Sequence, residues 1–165
     1  MSLTSNTTLQ CPTCEAPIDA QLWDSINADR RPDLRQAVLD RGLHRFTCGS
    51  CGTSTRVPPS LVYLDMGRNQ VILANPASEL GDWKGAVADA RNALARGLSA
   101  LTESNTTTRV VFGWAALREQ LIIAAAGLDS VDVEVVKLAL MRTSSDLLLD
   151  DTFELRLVNV DGEVW

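Results

Sequence analysis

Two Cys-x-x-Cys pairs place the strongest constraint on how this chain folds. They are Cys11-Pro-Thr-Cys14 and Cys48-Gly-Ser-Cys51, they contain all four cysteines, and 33 residues separate them. Two residues between thiolates allow one tight turn to direct both sulfurs at a single ion, with backbone N–H groups facing the sulfur charge. Two such turns supply four ligands, so the pattern predicts a zinc site formed by Cys11, Cys14, Cys48 and Cys51.

This zinc is expected to be structural, because four cysteines fill a tetrahedral shell and leave no position for water. The gap between the pairs exceeds the roughly 15–20 residues that are usual in zinc ribbons. Residues 23–42, with a short helix that begins near Pro32 and ends near Gly42, account for the excess as an insertion. His44 would be a fifth ligand, so we expect it to be a half-exposed strand residue instead.

A redox role for the cysteine pairs is the main alternative chemistry. A thioredoxin-like pair needs a helix that continues from the motif and lowers the thiol pKa. Pro17 and Gly52, which closely follow the two pairs, both oppose such a helix. A disulfide framework needs an oxidising compartment, whereas the first residues show no export signal and the longest apolar run is too short to cross a membrane. We therefore expect a cytoplasmic protein with no membrane contact.

The local patterns predict an α+β protein in three parts. Residues 1–8 are mostly Ser, Thr and Asn and predict a disordered arm. Residues 9–75 predict the four-cysteine zinc ribbon with its inserted helix and strands near 43–47, 54–57, 60–64 and 70–74. Residues 76–165 predict an α-rich part with a terminal strand or hairpin, packed on the ribbon.

Within that last part, Asp82 is the predicted N-cap of a helix over 83–101, and Gly127 closes a helix over 114–126. A short strand is predicted at 109–112, and a terminal strand over 152–160 before a turn at 161–162. Residues 131–141 are ambiguous. Ser130 is a candidate helix cap, but Val131, Val133 and Val135 alternate with acidic residues as in a strand.

The segment 9–75 resembles the bacterial and archaeal CpXC family, named for its two Cys-x-x-Cys pairs. The resemblance is carried by Cys11-Pro-Thr-Cys14, Trp23-Asp-Ser-Ile-Asn27, Phe46-Thr-Cys-Gly-Ser-Cys-Gly52 and Tyr63-Leu-Asp-Met66. A weaker likeness over 117–119, 126–129 and 135–138 favours a helix for 131–141. The sequence departs from the pattern at Glu15, where a knuckle often has Gly, and in the second pair, which lacks proline. Neither departure removes a ligand, and the resemblance implies a zinc site and a fold outline rather than an activity.

Charge argues against nucleic acid as a partner. The net charge is −6, and residues 1–75 are balanced with seven acidic and seven basic side chains, so the deficit lies in the second half. A phosphate-binding surface is normally strongly basic. A possible basic patch consists of Arg30, Arg31, Arg35, Arg41 and Arg45. Because Asp29, Asp33 and Asp40 are interleaved with these arginines, a salt-bridged surface is the expected arrangement.

The sequence therefore favours a zinc-stabilised protein-interaction module of a bacterial cytoplasmic protein, with no catalysis and no identifiable small-molecule substrate. The alternatives are a nucleic-acid-binding zinc ribbon and an enzyme that uses polar residues of the two recognised motifs. The enzyme candidates are Asp24, Ser25, Asn27, Tyr63 and Asp65. The same motifs supply a possible binding surface, formed by Trp23, Asp24, Asn27, Tyr63 and Asp65.

Two packing expectations accompany this hypothesis. Trp23 is expected to pack between the ribbon and the inserted helix, shielding Leu34 and Val38. Residues 114–165 are expected to bind a protein partner or a second copy of the chain, because the helix around 121–126 is apolar on nearly every side and the terminal strand would expose an edge.

Overall fold

The computed structural model describes residues 2–97, 107–144 and 154–161, and its contacts divide the chain into two compact units, Met1–Leu117 and Arg118–Trp165. No helix in the described ranges has both the length and the apolarity needed to cross a membrane. The strands are β1 (Leu3–Gln10), β2 (Pro17–Asn27), β3 (Arg45–Thr47), β4 (Ser54–Arg56), β5 (Leu61–Asp65), β6 (Gln70–Asn75) and β7 (Thr107–Phe112). The helices are α1 (Pro32–Leu39), α2 (Trp83–Gly97), α3 (Gly113–Ala125) and α4 (Ser130–Thr143), with 3-10 turns at Met66–Arg68 and Ala77–Asp82.

The first unit contains a five-stranded mixed sheet in the order β1-β2-β5-β6-β7 and a separate β3–β4 hairpin. The β1–β2 and β5–β6 pairs are antiparallel, whereas β2–β5 and β6–β7 are parallel. The mixed α+β class is confirmed. The expected boundary near residue 75 is wrong, because β7 pairs with β6 and so joins residues 107–112 to the sheet of the cysteine segment.

The N-terminal arm is a strand and not a disordered segment. Residues 3–10 pair with β2 along their whole length, and Ser5 Oγ donates to Asp24 Oδ1 at 2.9 Å. Leu9 is partly buried against Cys11 and Ile18. The composition predicted disorder because it offers few side chains to bury, but backbone hydrogen bonds to a neighbouring strand do not depend on side-chain hydrophobicity.

The core of the first unit follows from alternation in the central strands. Leu61, Tyr63 and Asp65 of β5 point inward and are buried, while the residues between them are half-buried. β6 is buried on both faces through Val71 and Ile72, as expected of a strand in the middle of a sheet. The predicted helix at Pro32 is α1, and its buried residues are Leu34 and Val38.

Residues 130–143 form a helix, which resolves the ambiguity of the valine pattern. Its N-cap is Asp129 and not Ser130: one carboxylate oxygen of Asp129 accepts from the Val131 N–H at 2.6 Å and the Asp132 N–H at 3.3 Å. The cap satisfies two N–H groups that a helix start leaves without partners. Local capping therefore outweighs the two-residue alternation.

The predicted terminal strand is not present in residues 154–161. The Leu157 N–H donates instead to the Glu119 side chain, at 2.6 Å from Oε1, so this backbone group serves a side-chain contact rather than a strand ladder. Residues 152–153, the glycine of the predicted hairpin turn and the predicted end of α2 at 101 lie outside the described residues.

Candidate metal centre

Two turns with the same backbone geometry carry the four cysteines. In the first, between β1 and β2, the Cys11 N–H donates to the Ala16 carbonyl at 3.0 Å, and the Glu15 N–H donates to the Cys11 carbonyl at 2.9 Å. In the second, between β3 and β4, Cys48 bonds in the same way to Thr53 and Gly52, both at 2.9 Å. Identical hydrogen-bond offsets indicate that each Cys-x-x-Cys pair forms one knuckle, and each knuckle is held between two paired strands.

Both knuckles turn through a left-handed residue directly after the second cysteine. Gly52 has a φ of 74° and Glu15 has a φ of 58°. Glycine adopts this conformation without steric cost, whereas a side chain at Cβ makes it unfavourable. The departure from the CpXC pattern at Glu15 is therefore tolerated at the expense of local backbone strain.

The four sulfurs form a compact cluster. Cys11 Sγ lies 3.6 Å from Cys51 Sγ, Cys14 Sγ lies 3.7 Å from Cys48 Sγ, and all four lie within 4.8 Å of one another. A zinc tetrahedron with bonds of about 2.3 Å has sulfur–sulfur edges of about 3.8 Å. All four cysteines are free thiols, and the donor set fits a thiophilic ion such as zinc.

One side of the cluster is sealed from water. Cys11 and Cys48 are 1% exposed and pack with Ile18, with Leu9 and Phe46 partly buried alongside, whereas Cys14 and Cys51 are exposed. The first cysteine of each pair thus anchors the site in the apolar core. Solvent would reach a bound ion from the side of Cys14 and Cys51.

The knuckle backbone stabilises thiolate charge in the second pair. The N–H groups of Cys51 and Ser50 lower the pKa of Cys48, and the hydroxyl and N–H of Thr53 lower the pKa of Cys51 to about 6. In the first pair the Ala16 N–H lowers the pKa of Cys14, but the hydrogen bond with Cys51 and burial raise it, with a net pKa of about 12. A cation bound by all four sulfurs would favour the thiolate at each.

His44 is not placed to be a ligand. Its Nε2 accepts from the Trp23 N–H at 2.8 Å, and its ring meets the Trp114 ring edge-on with centroids 5.3 Å apart. The prediction of a half-exposed residue is wrong, because only 6% of His44 is exposed. Burial and the Arg56 charge lower the pKa of His44 to about 4, so the ring is neutral near pH 7 and serves as an acceptor.

The residues of the first recognised motif lie along β2. Trp23 is half-buried, with the Arg31 guanidinium 5.1 Å from its ring centroid. Asp24 is exposed. Asn27 forms the following turn, since its Oδ1 accepts from the Arg30 N–H at 3.1 Å. The Asn27 side chain therefore stabilises this turn.

Tyr63 and Asp65, expected as parts of a possible binding surface, are instead buried, with 0% and 1% of their surface exposed. Asp65 Oδ2 accepts from the Tyr63 hydroxyl at 3.1 Å and pairs with Arg35 at 2.8 Å and Arg68 at 3.2 Å. These bonds tie α1 and the 3-10 turn to β5. Alternation along β5 already places both residues on the same face, but the distant partner Arg35 cannot be read from the pattern.

The sequence did not predict the roles of two further polar residues. Asp29 accepts from the Met66 and Gly67 N–H groups at 2.9 and 3.1 Å and so caps the 3-10 turn. In the second unit Glu119 is 1% exposed and pairs with Lys137 at 3.0 Å and Arg156 at 2.9 Å. Glu119 is the single carboxylate of the predicted helix over 114–126, and this is the signal that could have identified it.

Comparison with known proteins agrees with the cysteine geometry. The family model of the CpXC protein matches residues 9–137, a range that includes both knuckles and reaches into α4. No curated protein and no solved structure matches the chain. The match extends the resemblance seen in residues 9–75 to most of the chain. On this evidence the chain belongs to the CpXC family.

Proposed function

We propose that the four cysteines bind one structural zinc ion, and that the chain is a zinc-stabilised protein-interaction module of a bacterial cytoplasmic protein. The observation that supports the metal is the cluster of four thiols within 4.8 Å of one another. A shell of four cysteine sulfurs gives zinc no open coordination position, so the metal stabilises the fold and does no chemistry. A reducing cytoplasm would keep the thiols available for the ion.

Elemental analysis of the protein purified without added metal tests the first half of the proposal. We expect one zinc per chain, and Cys11→Ser or Cys48→Ser should lose the metal and lower the melting temperature. Ser50→Ala, within the second knuckle but not a ligand, is the matched control and should retain the zinc. A metal-free protein with the same melting temperature as the quadruple Cys→Ser variant would contradict the assignment.

The interaction half of the proposal is supported by the apolar surface of α4. Val131, Val135 and Leu138 are 60%, 60% and 45% exposed, and their spacing places them on one helix face, here called the α4 ridge. Beside the ridge lies a groove of about 380 Å³. Its apolar lining comes from Leu128, Val133, Val136, Leu140, Leu155 and Leu157.

A second copy of the chain is the occupant that this surface fits best. A ridge and a groove next to each other on one chain allow two copies related by a two-fold axis to insert each ridge into the opposite groove. The ridge residues carry no charge that would oppose such pairing. Contiguous exposed apolar surface of this kind marks interaction sites in proteins, which agrees with the expectation for residues 114–165.

Sedimentation velocity over a dilution series tests the dimer. We expect a monomer–dimer equilibrium that Val135→Lys shifts to monomer, with the zinc content unchanged. Ala125→Lys, at an exposed position of the last turn of α3, is the control and should leave the equilibrium as it is. A strict monomer at high micromolar concentration would exclude the second copy and leave a different protein as the partner.

The proposal gives the chain no catalytic role. This part of the proposal is supported by the burial of Tyr63 and Asp65 and by the hydrogen bond that the Tyr63 hydroxyl donates to Asp65 Oδ2. Nucleic acid is not proposed as a partner, because the net charge of −6 opposes phosphate binding.

A further inference from the structure

Three arginines are close together at the β3–β4 hairpin. Arg45 and Arg56 are direct cross-strand partners, and Arg45 Nε donates to the Arg41 carbonyl at 3.5 Å. Like charges directly opposite on neighbouring strands are destabilising. Arg45 and Arg56 form the open end of the hairpin, opposite the Cys48–Cys51 knuckle, and a bound anion would offset their repulsion there.

Arg56 is fixed in place by its surroundings. Its Nε donates to the Leu43 carbonyl at 3.0 Å, and its guanidinium lies 4.2 Å from the Trp114 ring centroid. The ring is itself anchored, because the Trp114 indole N–H donates to the Val57 carbonyl at 2.8 Å. The Nη2 group of Arg56 is buried with no acceptor within the described chain, so ring and backbone hold the cation without a counter-charge.

In the described ranges no carboxylate pairs with these three arginines. Of the expected surface salt bridges, Arg31–Asp33 is present at 2.6 Å, whereas Arg35 pairs with the buried Asp65 at 2.8 Å. Arg41 and Arg45 are exposed and make no such pair. Burial, and to a smaller extent the charges of Arg45 and Arg41, lowers the pKa of Arg56 to about 10.

We propose that the guanidinium cluster of Arg41, Arg45 and Arg56 binds a carboxylate-rich segment of a partner protein. Guanidinium groups bind carboxylates through paired, charge-assisted hydrogen bonds. The hairpin that presents Arg45 and Arg56 closes through the Cys48–Cys51 knuckle, so metal binding would keep the cluster rigid. The site goes beyond the proposed function, because it uses none of the residues of the α4 ridge and does not depend on dimer formation.

An acidic protein segment fits this cluster better than nucleic acid does. Nucleic-acid surfaces typically neutralise several phosphates along a strand, with about 6–10 contacts in well-studied cases. Here three arginines stand in a chain of net charge −6 with a pI of about 4.7. The negative charge of the rest of the chain would repel a long polyanion. A short acidic segment needs to contact only the positive charge of the three arginines.

The test is a titration of the full-length, zinc-loaded, ¹⁵N-labelled protein with a blocked hexaglutamate peptide, with hexaglutamine as the uncharged control. We expect hexaglutamate to shift the Trp114 indole signal and the Nε–H signals of Arg45 and Arg56 saturably, and hexaglutamine to leave them unchanged. The double variant Arg41→Gln/Arg45→Gln should bind at least about 10-fold more weakly, as expected for the loss of charge-assisted hydrogen bonds. Arg91→Gln, at an exposed position of α2, should bind as the native chain does.

The same measurements contain the outcomes that overturn the proposal. It is wrong if hexaglutamate shifts none of these signals, or if the double variant binds as tightly as the native chain. A single-stranded 20-nucleotide thymidine oligomer that binds the cluster more tightly than hexaglutamate would replace the protein segment with nucleic acid. Val135→Lys should leave the hexaglutamate affinity unchanged, which separates this site from the proposed dimer surface.

Discussion

At the scale of single residues, the position directly after the second cysteine is Glu15 in one knuckle and Gly52 in the other. Glu15 and Gly52 both have a left-handed φ, of 58° and 74°, but only Glu15 has a Cβ that the conformation disfavours. A methyl group built on Gly52 would meet no atom within 4 Å. Any cost of a side chain there comes from the backbone conformation alone.

Exchanging the residue type at these positions should therefore change stability in opposite directions. We expect Glu15→Gly to leave the stability unchanged or to raise it by up to about 1 kcal/mol, since relief of left-handed strain is partly offset by the flexibility of glycine in the unfolded chain. Gly52→Ala should cost about 1 kcal/mol. Chemical denaturation of the zinc-loaded protein measures both, and a Gly52→Ala variant as stable as the native chain would refute the strain argument.

His44 makes the stability depend on pH. Its pKa is lowered from about 6.5 in an unfolded chain to about 4 in the folded protein. Between these values the unfolded chain binds a proton that the folded chain does not, so stability is lost as the pH falls from about 6.5 to 4. The loss from this residue is at most roughly 3 kcal/mol.

Denaturation at a series of pH values compares the native chain with His44→Gln, whose amide oxygen can still accept from the Trp23 N–H. The native chain should lose more stability than the variant over this window. Because acid also protonates the cysteines, the difference between the two proteins is the quantity to measure. Parallel pH profiles would show that His44 does not carry this dependence.

At the scale of elements, a buried carboxylate joins α3 and α4 in the second unit. Glu119 accepts from Lys137, from Arg156 and from the Leu157 N–H. Burial alone would raise its pKa, but the Leu157 N–H and the Arg156 and Lys137 side chains outweigh it and lower the pKa. Glu119 thus ties Arg156 and Leu157 to the helix pair, and Arg118 Nη1 of α3 donates to the Val158 carbonyl at 3.2 Å.

Two glutamates on the same lysine provide a matched comparison. Glu119→Gln should cost about 3 kcal/mol, because the Lys137 cation, 8% exposed, loses its buried partner. Glu134 also pairs with Lys137, but at an exposed position. Glu134→Gln should therefore lower the free energy of unfolding by less than about 1 kcal/mol. Equal losses of unfolding free energy for the two variants would contradict the buried network.

At the scale of the whole molecule, the knuckles lie between paired strands of the first unit and far along the sequence from α4. Chelation of the metal should therefore loosen the first unit selectively, because metal binding and local folding are coupled. Hydrogen exchange after treatment with EDTA should accelerate in residues 9–20 and 45–57. Amides of α4 should keep their protection from exchange. A loss of protection in α4 equal to that in residues 9–20 and 45–57 would show that the metal stabilises the chain as one cooperative unit.

Features set by neighbours in sequence were predictable. The short spacing within each pair predicted two turns that the structure shows to be equivalent, and Gly52 predicted that no helix continues from the second pair. Pro32 and Gly127 likewise marked the start of α1 and the end of α3. These features depend on steric and hydrogen-bond preferences over a few residues, so the sequence alone carries them.

Features that join distant segments were decided only by the tertiary structure. Residues 3–10 have few hydrophobic side chains but become a strand, because their backbone pairs with β2 along the full length of the segment. Tyr63 and Asp65 become buried because Arg35 and Arg68 neutralise and bond the carboxylate. The sequence determined which side chains could bind a metal. The packing of Cys11, Cys48 and Ile18 into one buried cluster brought the four thiols together, and the tertiary structure decided which arginines have no carboxylate partner.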